Sequence, residues 1–148
     1  AFSILTEILP VPIHVTGAEL RFPSNCETPI AADVSFAGPH GLTATADLDF
    51  LYEGDPVWTM AIESDGGTLT LTQGGAVLEA PGVKQGEGWG DQPGIHGEYP
   101  RLYSEMARLL DAGDSEVDTR PVTLVADAFM LGRRVDVAPF TDPTLKET

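Results

Sequence analysis

LTATADLDF, residues 42–50, decides the fold. Leu42, Ala44, Ala46, Leu48 and Phe50 alternate with Thr43, Thr45, Asp47 and Asp49. That two-residue period belongs to a strand with one apolar and one polar face. Upstream, PIAADVSFA (29–37) repeats it with Ile30, Ala32, Val34 and Phe36, and HVTGAELRF (14–22) reads as a strand before that. Downstream, VWTMAIES (57–64) puts Trp58, Met60 and Ile62 on one side, TLTLT (68–72) adds Leu69 and Leu71, and the short AVLEA (76–80) follows. GPHG, EGDP, SDGG and GG punctuate these runs with turn-forming residues. Connections of about two to seven residues are too short for crossover helices, so residues 13–81 read as an antiparallel meander of about six strands.

Outside that block the period is helical. Before it, AFSILTEILP places Phe2, Leu5 and Leu9 at helical spacing. It offers no capping side chain ahead of Ala1, so residues 1–9 read as the end of a helix that begins upstream. After it, residues 82–97 (GVKQGEGWGDQPGIHG) are a Gly-rich loop, long for a compact domain. EYPRLYSEMARLLDAG then carries a stripe of Tyr99, Leu102, Met106, Leu109 and Leu110, with Gly113 suited to end the helix. DTRPVTLVADAFMLGRRV reads as a second helix, capped by Thr119 or Asp118, with Pro121 in its first turn and Arg133 and Arg134 at its negative end. Its apolar residues form two faces, which predicts burial on both sides. Two helices over 98–136 and a tail over 137–148, frayed over TDPTLKET (141–148), complete one domain spanning 1–148. Strands followed by helices predict an α+β fold: an open-faced, mainly antiparallel sheet with helices on one face.

Composition narrows the partners. Eight Lys and Arg against 23 Asp and Glu give a net charge of −15. Such a field repels phosphate backbones and anionic lipid heads, so neither nucleic acid nor a membrane surface is an expected partner. No apolar run approaches the ~20 residues of a membrane-spanning helix. The short apolar opening lacks a basic leader and contains Glu7, which argues against a signal peptide. Cys26 is the single cysteine, so no internal disulfide can form, and a reducing cytoplasm is the expected location.

Chemistry is sparse. No GxGxxG stands between a strand and a helix, and there is no phosphate-binding GxxxxGK[ST] run and no GxSxG elbow. His14, His40 and His96 lie too far apart for metal-ligand spacing. The residues alone therefore predict no catalytic, cofactor-binding or metal-binding set. His96 is the best placed of the three histidines because it ends the long loop and opens a helix; a solvated loop histidine is the plainer reading. Tyr99 and Tyr103 read first as core-edge aromatics and Trp58 as packing. Trp89, within the loop, fits either closure over a site or an anchor for the loop.

Particular segments carry a resemblance. ILP at 8–10, CETPIAADVSF, WTMAIESDGGTLTLTQGGAVLEA, EYPRLYSEMARLL and DSEVDTRPVTLVADAFMLGRRV occur in that order. Together they resemble the C-terminal domain of aldose 1-dehydrogenases of the glucose–fructose oxidoreductase/inositol dehydrogenase (Gfo/Idh/MocA) family, over residues 1 to about 137. The likeness is most specific in RPVTLVADAFMLGRRV. It implies a parent with an N-terminal Rossmann domain that binds NAD(P), a Glu-Lys-Pro motif with the catalytic lysine, and an Asp-xxx-Asn or Asp-xxx-His helix that contacts the sugar. None of those motif residues occurs here, so no catalytic residue and no bound cofactor carry over. The resemblance implies an aldose as the parent's substrate, a homo-oligomer formed through the open sheet face, and a pocket approached, by order along the chain, by His96, Tyr99 and Trp58. Two functions follow from it: part of an NAD(P)-dependent aldose 1-dehydrogenase that is inactive by itself, or a stand-alone sugar-binding or protein-interaction module.

Overall fold

The computed structural model describes residues 1–55, 57–75, 77–82 and 98–142. In chain order the elements are α1 (Phe2–Ile8), β1 (His14–Pro23), β2 (Ala31–Ala37), β3 (Thr43–Asp49), β4 (Thr59–Ser64), β5 (Gly67–Thr72), β6 (Val77–Glu79), α2 (Glu98–Ala112), α3 (Arg120–Leu131) and β7 (Arg133–Val137). The α+β expectation holds, with seven strands in two sheets among the described residues in place of about six in one. One sheet has the order β3-β2-β1-β7 and the other β4-β5-β6. Pairing is antiparallel except between β1 and β7. The chain divides into two compact units, one made of residues 1–52 and the chain from Val117 onward, the other Glu53–Glu116.

The first unit is a four-stranded sheet with α1 and α3 against its inner face. β2 pairs β3 in register over all seven residues, as strict alternation requires. β1 could not alternate strictly and still bury its apolar residues. Val15 and Leu20, both 4% exposed, are an odd number of positions apart and would point to opposite faces. A bulge between Val15 and Gly17 resolves this by inserting Thr16 unpaired, which turns Ala18, Leu20 and Phe22 inward behind Val15. The core is Phe2, Val15, Val34, Phe36, Leu124 and Ala128. Only Leu124 and Ala128 of α3 are buried, so the expectation of two buried faces is corrected: Val122, Phe129 and Leu131 are exposed. Phe50, assigned inward by the alternation, is also exposed, because β3 ends at Asp49.

The largest correction is at the end of the second predicted helix. α3 stops at Leu131, Gly132 is extended, and residues 133–137 form β7 rather than a last helical turn. β7 pairs parallel with Glu19 to Pro23 of β1. Its residue Arg134 lies over the Phe22 ring, 4.0 Å from the centroid. The chain just beyond β7 is also tied down. Asn25 Nδ2 donates to the Phe140 carbonyl and the Phe140 N–H donates to Asn25 Oδ1, both at 2.8 Å. One side chain thus imitates a strand partner. Asn25→Ala removes both bonds and is expected to lower stability by about 1–2 kcal/mol, with faster exchange of the Phe140 amide in hydrogen-exchange NMR. Unchanged exchange at Phe140 would show that the bonds hold nothing in place.

The second unit holds the three-stranded sheet and α2. Met60 lies opposite Leu71 and Ile62 opposite Leu69, which gives the apolar side read from the sequence. α2 ends as Gly113 predicts. Gly113 is left-handed (φ 64°), its N–H bonds to Leu110 O, and the Asp114 N–H bonds to Leu109 O. This 6→1 and 5→2 pair satisfies the last carbonyls.

Candidate functional site

Of the three residues placed by order along the chain, His96 lies outside the described residues, as does Trp89. Trp58 and Tyr99 are both described and both fall in the second unit. Trp58 stands just before β4 and is half-buried. Between β5 and β6 the backbone passes through three successive left-handed residues, Gln73 (φ 52°), Gly74 (φ 70°) and Gly75 (φ 91°). A Cβ on Gly75 would lie 3.9 Å from the tip of the Trp58 ring, so the indole borders this turn. Tyr99 is in the first turn of α2 and 66% exposed. With Leu102, Tyr103, Met106 and Leu110 it forms an apolar stripe that the described residues leave open. Tyr99 is therefore largely accessible.

Two surface charge pairs, one in each unit, are arranged for local structure. On α2, Arg108 Nε donates to both Glu105 carboxylate oxygens, at 2.8 and 3.0 Å. That hydrogen bonding, with Coulombic attraction behind it, holds the Glu105 carboxyl below the usual carboxylate range. At the start of α3, Asp118 Oδ1 accepts from the Arg120 N–H and Nε, both at 2.9 Å. The N-cap residue, Thr119, makes no side-chain cap bond; the Asp118 carboxylate one position earlier takes the first helical N–H instead, and these bonds hold its pKa down. All four groups are at the surface, where such pairs stabilise weakly. Among the described residues no three His, Cys, Asp or Glu side chains converge as a metal ion requires. Nor does any buried side-chain nitrogen or oxygen lack a hydrogen-bond partner among them.

The first unit has a groove of about 140 Å³ beside α3, lined by Phe2, Leu20, Val34, Leu48, Val125 and Phe129 among other apolar residues. Its walls offer no acid, base or nucleophile. It accepts apolar surface and does no proton chemistry. No sequence signal marked it, since its lining comes from three strands and two helices.

The outer face of the same sheet is polar. Thr43, Thr45, Asp47 and Asp49 of β3 are exposed there. Arg21 pairs with Glu19 (3.4 Å) and with Asp33, and Arg133 also pairs with Glu19. This is the side that α1 and α3 leave uncovered. No described helix is long and apolar enough to cross a membrane.

No protein-family model matches the chain. Over 142 residues, 96% of its length, it is 42% identical to galactose 1-dehydrogenase of Pseudomonas fluorescens, of which it spans 45%. Its fold matches the crystal structure of D-galactose-1-dehydrogenase from Rhizobium etli with a TM-score of 0.81 and 40% identity, over 94% of this chain and 42% of that one. KijD10, a 3-ketoreductase from Actinomadura kijaniata solved with TDP-benzene and NADP, shares the fold (TM-score 0.72) at 12% identity, over 92% of this chain and 46% of that one. The chain is galactose 1-dehydrogenase-like in sequence and fold, and spans about half the length of the relatives it matches. The resemblance to a C-terminal dehydrogenase domain is borne out.

Proposed function

We propose that this chain, similar along almost its whole length to the C-terminal part of galactose 1-dehydrogenases, serves as the substrate-pocket and oligomerisation domain of an NAD(P)-dependent sugar dehydrogenase. The observation that carries the reading is the 42% identity over 142 residues, joined to a fold match at TM-score 0.81. The parent reaction is oxidation of an aldose at C1 to its lactone. C1 loses a hydride to the nicotinamide and its hydroxyl loses a proton to a base. Two features of the sequence count against a dinucleotide site here: no GxGxxG run stands between a strand and a helix, and the charge of −15 opposes a pyrophosphate. Cofactor and base would belong to the Rossmann half of such a parent.

Within that division of labour this chain supplies part of the wall around the sugar. Tyr99 and Trp58 offer flat apolar faces for the C–H side of a pyranose, and His96 a ring nitrogen for its hydroxyls. The single thiol, Cys26, suits a cytoplasmic setting.

The test is direct. The purified chain is incubated with galactose or arabinose and NAD+ or NADP+, and reduced nucleotide is followed by absorbance. No turnover is expected, because this reading assigns the cofactor site and the base to the other half of the parent. Turnover would overturn the reading. In calorimetry, micromolar sugar binding lost on Tyr99→Ala, with no turnover, would favour a stand-alone binding module instead.

A further inference from the structure

We propose that the free edge of β7 docks a second copy of this chain. The two β7 strands pair antiparallel about Val135, so that Arg134 of each copy faces Asp136 of the other. This goes beyond the proposed function and is separate from the open-face association: it joins two four-stranded sheets edge to edge rather than stacking them.

β7 ends the sheet order β3-β2-β1-β7, and among the described residues no strand lies on its far side. The main chain shows which groups face that side. The Ser24 N–H donates to the Val137 carbonyl at 3.2 Å, so Val137 turns toward β1. In a parallel ladder successive residues bond to opposite sides. Arg133, Val135 and Val137 therefore serve β1, while Arg134 and Asp136 present their N–H and C=O at the open edge. Such a row is a template for another strand. The chain beyond β7 is drawn away from it, because Asn25, just past the end of β1, holds both main-chain groups of Phe140. The side chains of Arg134 and Asp136 share one face of the sheet, opposite Leu20 and Phe22, and both are largely exposed.

Hydrogen bonding and charge then select one register. Two copies related by a two-fold axis normal to the sheet must set outward-facing residues opposite each other. Alignment on Arg134 sets cation against cation, and alignment on Asp136 sets carboxylate against carboxylate. Alignment on Val135 sets Arg134 opposite Asp136 on both sides of the axis, and each such pair exchanges both of its N–H···O=C bonds. Directly bonded partners have Cα atoms about 5.5 Å apart. Arg134 Nε, which already donates to Asp136 Oδ1 of its own copy at 3.0 Å, then has a second carboxylate in reach. Charges on an edge strand ordinarily turn other strands away; a cation and an anion two positions apart on one face admit a reversed copy of themselves. The closed, self-complementary contact is isologous. The opposite edge of the sheet lacks this device: β3 carries Asp47 and Asp49 and no cation.

The test follows amide hydrogen exchange by NMR on the 148-residue chain, with sedimentation velocity for mass and circular dichroism to confirm folding. Five residues a side make a small contact, so association is expected across about 0.05–1 mM protein. Over that range the Arg134 and Asp136 amides should become protected, with exchange slowed several-fold. Asp136→Arg, which sets cation on cation in this register, is expected to weaken the association at least about tenfold and to abolish that protection. Mixing it with Arg134→Glu should restore protection, because only the mixed pair has opposite charges at both positions. Arg134 also lies over Phe22, so if Arg134→Glu does not fold, the Asp136→Arg result decides alone. Exchange at Arg134 and Asp136 that is independent of concentration would overturn the inference, since association through any other face leaves these amides open. Protection that survives Asp136→Arg would overturn it as well. Either failure leaves the sugar-dehydrogenase reading standing, because that reading is tested by turnover and sugar binding.

Discussion

Phe36→Ala is expected to cost about 3–5 kcal/mol of folding stability, enough to bring a domain of ordinary stability close to unfolding. Phe36, next to the last residue of β2, is 2% exposed. Its register partners are Val15 on β1 and Ala44 on β3. The ring of Phe2 from α1 meets it edge-on, with centroids 5.3 Å apart and planes at 88°. Truncation removes the burial of a whole aromatic ring, and about 0.5–1.5 kcal/mol of the edge-to-face contact with it. Ala44 is too short to fill the space, so the cavity persists. Phe2 loses the surface that seats α1, so that helix should loosen first. The measurement is urea unfolding followed by circular dichroism. A Phe36→Leu variant, which keeps most of the apolar volume, serves as control and should lose clearly less. A loss below about 1 kcal/mol for the alanine variant would mean that the core is not centred on this ring.

Gly132→Ala is expected to destabilise by about 1–3 kcal/mol, and Gly132→Val by more, although neither changes polarity. The backbone conformation is not the reason. With φ −73° and ψ 147°, any residue can occupy the position. Space is the reason. A Cβ there would lie 2.3 Å from the Ala128 carbonyl oxygen, 3.1 Å from the Ala18 Cβ and 3.3 Å from the Leu20 Cγ. The nearest of these is backbone and cannot swing aside. Relief requires moving the last turn of α3 or the start of β7, and β7 is held to β1 by its ladder. Hydrogen exchange separates this mechanism from general loss of stability: the amides of residues 133–137 should exchange faster than those of β2 and β3. Uniform exchange across the sheet would contradict it.

These positions also mark where the sequence was legible. β2 and β3 follow from strict alternation, and α2 from its stripe and its terminal Gly113. Local period and cap chemistry govern such elements, whatever the rest of the chain does. The candidate site was less legible. Tyr99 and Trp58 come from order along the chain, and only their placement shows Tyr99 exposed and Trp58 against the Gln73–Gly75 turn.

By itself, then, the sequence determined the class of fold, most strands and the two long helices. Each of these is written in residues close together along the chain. The tertiary structure decided three things. It placed the bulge that lets Val15 and Leu20 share a face. It divided the strands between two sheets. It turned RRVDV from the end of a helix into a strand. Arg133 and Arg134 suit a helix terminus as well as a strand, so local preference leaves the segment undecided. Pairing with Glu19 to Pro23, more than a hundred residues earlier, settles it through hydrogen bonds that no local period records.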